Sequence, residues 1–126
     1  MNNGQRKLIR DHIKTVVAAA AISDIQLFTF KKSNLDGEKT AVCIYMENGD
    51  YEQLAYDSTL TVRVMAPDQQ NVDDVLDAIG DQVQDALNQD ITLAGACRFI
   101  TLKGYEYDRE STQAWTALDM QYGVVH

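Results

Sequence analysis

Cysteine is scarce in this 126-residue chain, which carries only Cys43 and Cys97, and histidine is equally so, with His12 and His126. A pair of distant cysteines builds no disulfide scaffold, and none is needed at a length where one domain buries roughly two-thirds of its unfolded surface. Both lie in apolar, strand-like surroundings, which predicts buried free thiols acting as small hydrophobes. Neither histidine has a cysteine or carboxylate at ligand spacing such as i, i+4, so no zinc site is expected. The same shortage leaves serine and cysteine nucleophiles without a placed base. The glycines stand singly, with no phosphate-cradling loop and no nucleophile elbow. No catalytic, cofactor or metal residues are therefore assigned.

Long apolar runs are missing too. The best stretch, Leu8 to Ile25, is broken by Arg10, Asp11, His12, Lys14 and Asp24, short of the roughly 20 apolar residues a span requires. With no secretory signal expected, the chain reads as a soluble protein of a reducing compartment. Basic residues are the remaining shortage: 11 Lys and Arg face 19 Asp and Glu, a net charge of −8. A phosphate-backbone binder needs a basic surface that releases counterions, so sequence-specific nucleic-acid binding is not expected.

What is present reads as a single domain, 1–126, of α+β class. Ile9, Ile13, Val16, Val17 and Ala20 recur at helical spacing and predict an amphipathic helix over Gln5–Ala21. Asp24–Lys31 reads as a strand, and Ser33–Glu38, holding Asn34 and Asp36-Gly37, as a hairpin loop. Thr40–Met46 is a second strand, closed by Asn48-Gly49-Asp50, and Tyr51–Tyr56 a polar connection. Ser58–Met65 alternates, with Leu60, Val62 and Val64 on one face and Thr59, Thr61 and Arg63 on the other; Pro67, the only proline, ends it. Asn71, with Asp74 three residues on, predicts a capped second helix whose Val72, Val75, Leu76, Ile79, Val83 and Leu87 form an apolar stripe. Gly80 within it predicts a close helix–sheet contact. Cys97–Tyr107 and Ala114–Val124 supply a final antiparallel hairpin through Asp108–Gln113. The order α-β-β-β-α-β-β predicts a mostly antiparallel sheet with both helices on one face.

Two surfaces stand out. Between Met65 and Cys97 there are seven aspartates and no lysine or arginine, and Asp73, Asp77, Asp81 and Asp85 repeat every fourth residue. Each such neighbouring pair repels by about 0.2–0.5 kcal/mol in an isolated helix. That is tolerable on a solvated face, or serves a surface that awaits a cation, with Arg109, Lys103 and Arg98 of a neighbouring subunit as candidates. The second surface is Gly104-Tyr105-Glu106-Tyr107-Asp108-Arg109-Glu110. Tyr105, Tyr107 and Arg109 share one strand face, and such residues anchor protein interfaces through large contact area combined with a directional polar group. The expected interface therefore comprises Tyr105, Tyr107, Arg109 and Glu110 together with Asp77, Asp81 and Asp85. Leu118, Met120 and Tyr122 are expected to hold the next strand to the core, whereas Trp115 suits either side, with packing favoured because its strand begins there.

That hairpin resembles the C-terminal signature of the lambda-type phage minor tail protein U family. The signature is a Gly-Tyr-acid-Tyr-x-Arg-acid run, here Gly104 to Glu110. It continues with a tryptophan (Trp115), a small residue, an aspartate (Asp119), an apolar residue and a tyrosine (Tyr122). The resemblance extends in element order through Thr40–Met46, Thr59–Pro67 and the acidic helix. The chain departs from some relatives in carrying Lys39-Thr40 where a proline stands, and in ending without an aromatic tail. The resemblance implies a tail terminator: a structural protein forming a self-associated, hexameric ring that caps the tail tube, stops its polymerisation and offers the head-attachment surface. Its implied partners are the tail tube protein and head–tail connector proteins, and its implied location the host cytoplasm and then the virion tail. A tail-tube or connector subunit, and a small α+β enzyme or ligand-binding domain with no recognisable motif, are the alternatives.

Overall fold

The computed structural model describes residues 3–35, 39–51, 56–109 and 114–126. The elements are α1 (Asn3–Ala19), β1 (Ile25–Phe28), β2 (Thr40–Tyr51), β3 (Tyr56–Pro67), α2 (Val72–Asn88), β4 (Phe99–Asp108) and β5 (Trp115–Val125). This is the expected α+β order. The five strands form one sheet in the order β1-β2-β3-β5-β4, antiparallel at every junction except β1–β2.

The core follows from the period-two alternation. Val42 and Ile44 of β2, Leu60, Val62 and Val64 of β3, and Leu118, Met120, Tyr122 and Val124 of β5 all point to one face. There they meet Ile9, Ile13 and Val17 of α1 and Leu76, Ile79, Val83 and Leu87 of α2. α1 lies over β1 and β2, and α2 over β3 and β5. The opposite face carries a smaller cluster of Ala41, Cys43, Tyr45, Met65, Trp115 and Ala117, with Phe28 and Leu35 packed against it. Trp115 is buried, as expected, and its indole N–H donates to Asn34 Oδ1 at 3.2 Å. Both cysteines are buried and free. Burial pushes the Cys97 thiol up to about 11, far from the thiolate form at neutral pH.

Several expectations are corrected. The segment after β1 is no hairpin: β1 pairs with β2 in parallel, Ile25 opposite Thr40 and Phe28 opposite Cys43. Parallel neighbours need a crossover, and this one brings Asn34 and Leu35 onto the face away from the helices. Asp36-Gly37 lies outside the described residues. Asn48-Gly49-Asp50 does not close β2. The strand runs on to Tyr51 and pairs with β3 down to Tyr56, after an irregularity between Met46 and Asn48. A partner strand supplies ladder hydrogen bonds along that length, and these outweigh a local turn preference. Asn71 does occupy the position before α2, but its side chain makes no capping hydrogen bond.

Candidate functional site

α2 and the edge strand β4 enclose a groove of about 300 Å³ lined by Asp77, Gly80, Asp81, Gln84, Leu102, Tyr105, Tyr107, Leu118 and Met120. A register shift between Leu102 and Gly104 makes it. Ile100 and Leu102 lie opposite Val124 and Tyr122 on the helix-facing side, and strict alternation would send Tyr105 and Tyr107 to the other side. One extra residue in β4 reverses the parity, so Tyr105 faces Met120 and Tyr107 faces Leu118. Glu106 and Asp108 accordingly turn to the opposite face. Sequence spacing placed Tyr105 and Tyr107 together but did not reveal which face they occupy.

Those tyrosines meet the acidic helix of their own chain. The Tyr107 hydroxyl donates to Asp77 Oδ1, and its ring stacks edge-on against Tyr105 with centroids 6.0 Å apart. The Arg109 guanidinium lies over the Tyr107 ring at 4.6 Å and forks onto Asp73, with Nη1 2.8 Å from Oδ1 and Nη2 2.9 Å from Oδ2. The hydrogen bond to Asp77, aided by burial, pushes the Tyr107 hydroxyl up to about 12. It stays protonated at neutral pH and acts as a donor, not a nucleophile or base. The hydrogen bond from Arg109 holds the Asp73 carboxyl below its usual range.

The acidic run thus divides by role. Asp77 is engaged by Tyr107 of β4 and Asp73 by Arg109 just beyond it. Asp68 accepts from the Thr116 hydroxyl. Asp90 staples the turn after α2 by accepting from Thr92 N (3.1 Å), Thr92 Oγ1 (2.7 Å) and Ala94 N (2.7 Å). It thereby holds the left-handed residues Leu93, Ala94 and Gly95. Asp74, Asp81 and Asp85 remain exposed without a partner among the described residues. Of the expected interface residues, Tyr105, Tyr107 and Arg109 come together with Asp77 and Asp81. Asp85 lies one turn further along α2, outside the groove, and Glu110 lies outside the described residues. The two surfaces read separately in the sequence are one patch. Arg109, taken there as a cation for a neighbour's aspartates, answers an aspartate of its own chain.

Gly80 opens the groove floor. A Cβ there would sit 3.0 Å from Leu118 Cδ2 and 3.4 Å from Met120 Sδ. Gly80→Ala is expected to be near neutral, since a helix-propensity gain of up to about 1 kcal/mol offsets a tight contact that a leucine terminus relieves. Gly80→Leu should overpack the helix against the sheet and lose about 1–3 kcal/mol in a thermal or urea melt. A leucine variant as stable as the parent would mean that α2 rides further from β5 than described.

Sequence spacing could not find two other polar constellations. Ser58 Oγ lies 2.7 Å from His126 Nε2; both residues are buried and neither lines the groove. Buried Arg63 sits on the sheet face away from the helices, with Nε 2.7 Å from Asp119 Oδ1, Nη2 2.8 Å from Asp119 Oδ2 and 3.1 Å from Asp108 Oδ2. Its guanidinium also lies 5.6 Å from the Trp115 ring centre. Among the described residues, no group of three His, Cys, Asp or Glu side chains is placed to hold a metal ion, and no helix is long and apolar enough to cross a membrane.

The sequence model of the family described as phage minor tail protein U matches residues 4–126. No curated protein matches the chain. Among solved structures the chain is similar to one in the virion of a native gene transfer agent (GTA) particle. That similarity has 8% identity and a TM-score of 0.45, over 93% of this chain and 92% of the other. At that distance it says nothing about role.

Proposed function

Because the chain belongs to the phage minor tail protein U family, and is therefore a phage tail structural protein, we propose that it acts as the tail terminator. In this reading it forms a closed ring, a hexamer, on the end of the tail tube, stops further tube polymerisation and presents the surface to which the head joins. It works by contact, without catalysis. The observation that carries the reading is the family match over nearly the whole chain. The α2–β4 patch supports it: Tyr105 is 68% exposed, its neighbours Tyr107 and Arg109 are already oriented by Asp77 and Asp73, and little ordering cost remains for a partner to meet. The net charge of −8 makes copies repel, so closure should be promoted by salt or magnesium.

Sedimentation across protein, salt and magnesium concentration tests this. The expected result is one closed species of fixed stoichiometry. Open-ended filaments would instead identify a tube subunit. A strict monomer at high concentration with magnesium and salt would overturn the ring.

A further inference from the structure

We infer that the groove between α2 and β4 receives the outward face of α1 from a second copy of this chain, an inference that rests on the ring reading above. The groove asks for an apolar knob flanked by cations. Leu102, Leu118 and Met120 supply apolar lining, and Asp77 and Asp81 stand beside them with Asp85 one turn beyond. Arg109, two residues beyond Tyr107, is held by Asp73 in the same chain.

The matching surface is on α1. Its outward stripe carries Lys7, Leu8, Asp11, Lys14 and Thr15, opposite the buried Ile9, Ile13 and Val17. Leu8 is 47% exposed and stands beside this charged row. Over its whole length α1 bears Arg6, Lys7, Arg10 and Lys14 against Asp11 alone, whereas Asp68 to Asp90 bears seven aspartates and no base. The Lys7–Asp11 pair, at 2.6 Å with Lys7 70% exposed, is a surface contact that a better acceptor can displace. Lys7 and Lys14 are roughly 10 Å apart along the helix axis, and Asp77 and Asp85 roughly 12 Å, so the two charge rows have matching lengths.

Placement across the sheet agrees. α1 lies over β1 and β2, while the groove flanks β4 at the far edge of the order β1-β2-β3-β5-β4. Knob and hole therefore sit at opposite ends of the domain. A contact joining them is heterologous, repeats from copy to copy, and closes into a ring when the rotation per step allows.

Salt relieves the overall repulsion between copies but also screens these facing rows. A charge exchange that does not depend on helix register therefore tests the contact by sedimentation of the full chain at one fixed, moderate salt concentration. Lys7→Glu with Lys14→Glu on α1, and separately Asp81→Lys with Asp85→Lys on α2, should each weaken self-association at least about tenfold. Combining all four substitutions should restore most of it. Leu8→Ser should weaken association with no such rescue, and because all of these side chains are exposed, melting temperatures should hold. If the α1 and α2 variants both assemble like the parent, this contact is overturned while the ring stands. If they weaken association but the combined variant fails to recover, the two charge rows do not face each other and this contact is overturned. A parent that never self-associates removes the ring reading and this one together.

Discussion

Replacing Arg63 with methionine is expected to lower the unfolding free energy by roughly 3–5 kcal/mol, the usual loss when one partner of a buried ion pair is removed. Arg63 and Asp119 are directly opposite across β3 and β5, with side chains 8% and 14% exposed. Burial by itself would lower the Arg63 pKa. The hydrogen bonds and charge of Asp119 more than offset that and hold it above its ordinary value. Without the guanidinium, the Asp119 carboxyl, only 14% exposed, loses the partner that holds both its oxygens, and Asp108 loses a partner as well. The variant carrying both Arg63→Met and Asp119→Leu should recover much of the loss, because no uncompensated charge is then left behind. Urea denaturation of the parent, the single variant and the double variant measures both quantities. A single variant within about 1 kcal/mol of the parent would show that the pair behaves as a surface bridge.

The second large effect is expected on assembly and not on folding. Tyr105→Ala and Arg109→Ala should each weaken ring formation by more than about 1 kcal/mol, as truncated aromatic and arginine anchors do. The monomer should hardly notice. Tyr105 is 68% exposed, and the Arg109–Asp73 bridge, half-exposed on both sides, is a surface pair of at most about 1 kcal/mol. Tyr107→Ala belongs in the same series with a different signature. It frees Asp77 and removes the ring on which Arg109 stacks, so it should loosen the patch as well as the contact. The comparison is oligomer fraction against melting temperature for the three variants. If all assemble like the parent, or all simply unfold, the patch is a bystander or part of the core.

Much of this molecule was readable one residue at a time. The stripe Leu76, Ile79, Val83 and Leu87 required a sheet beneath it, and the alternation of Leu60, Val62 and Val64 against Thr61 and Arg63 required two differently covered faces. Gly80 marked a close approach, and Trp115 a packed strand start. Each is a local signal, because 3.6- and two-residue periods are set by backbone geometry alone. The charges were legible as composition, with acids on α2 and bases on α1, but their pairing was not.

What only the tertiary structure decided concerns partners distant in the chain. Nothing near Asp36-Gly37 indicates that β1 will lie parallel to β2, because strand direction depends on which neighbour provides the ladder. Nothing in Asn48-Gly49-Asp50 indicates that a turn-forming triplet will be drawn into a strand by β3. The shift at Lys103 is likewise invisible until β4 is laid against β5, yet it carries Tyr105 and Tyr107 to the helix side and leaves Glu106 and Asp108 on the face of Arg63. The sequence by itself determined which residues are apolar, which are charged and with what period they recur. The fold decided that Asp73 would answer Arg109, that Asp119 would answer Arg63, and that the acidic helix and the tyrosine strand would form one groove, since those contacts arise only when segments 36 and 56 residues apart are brought within hydrogen-bond reach.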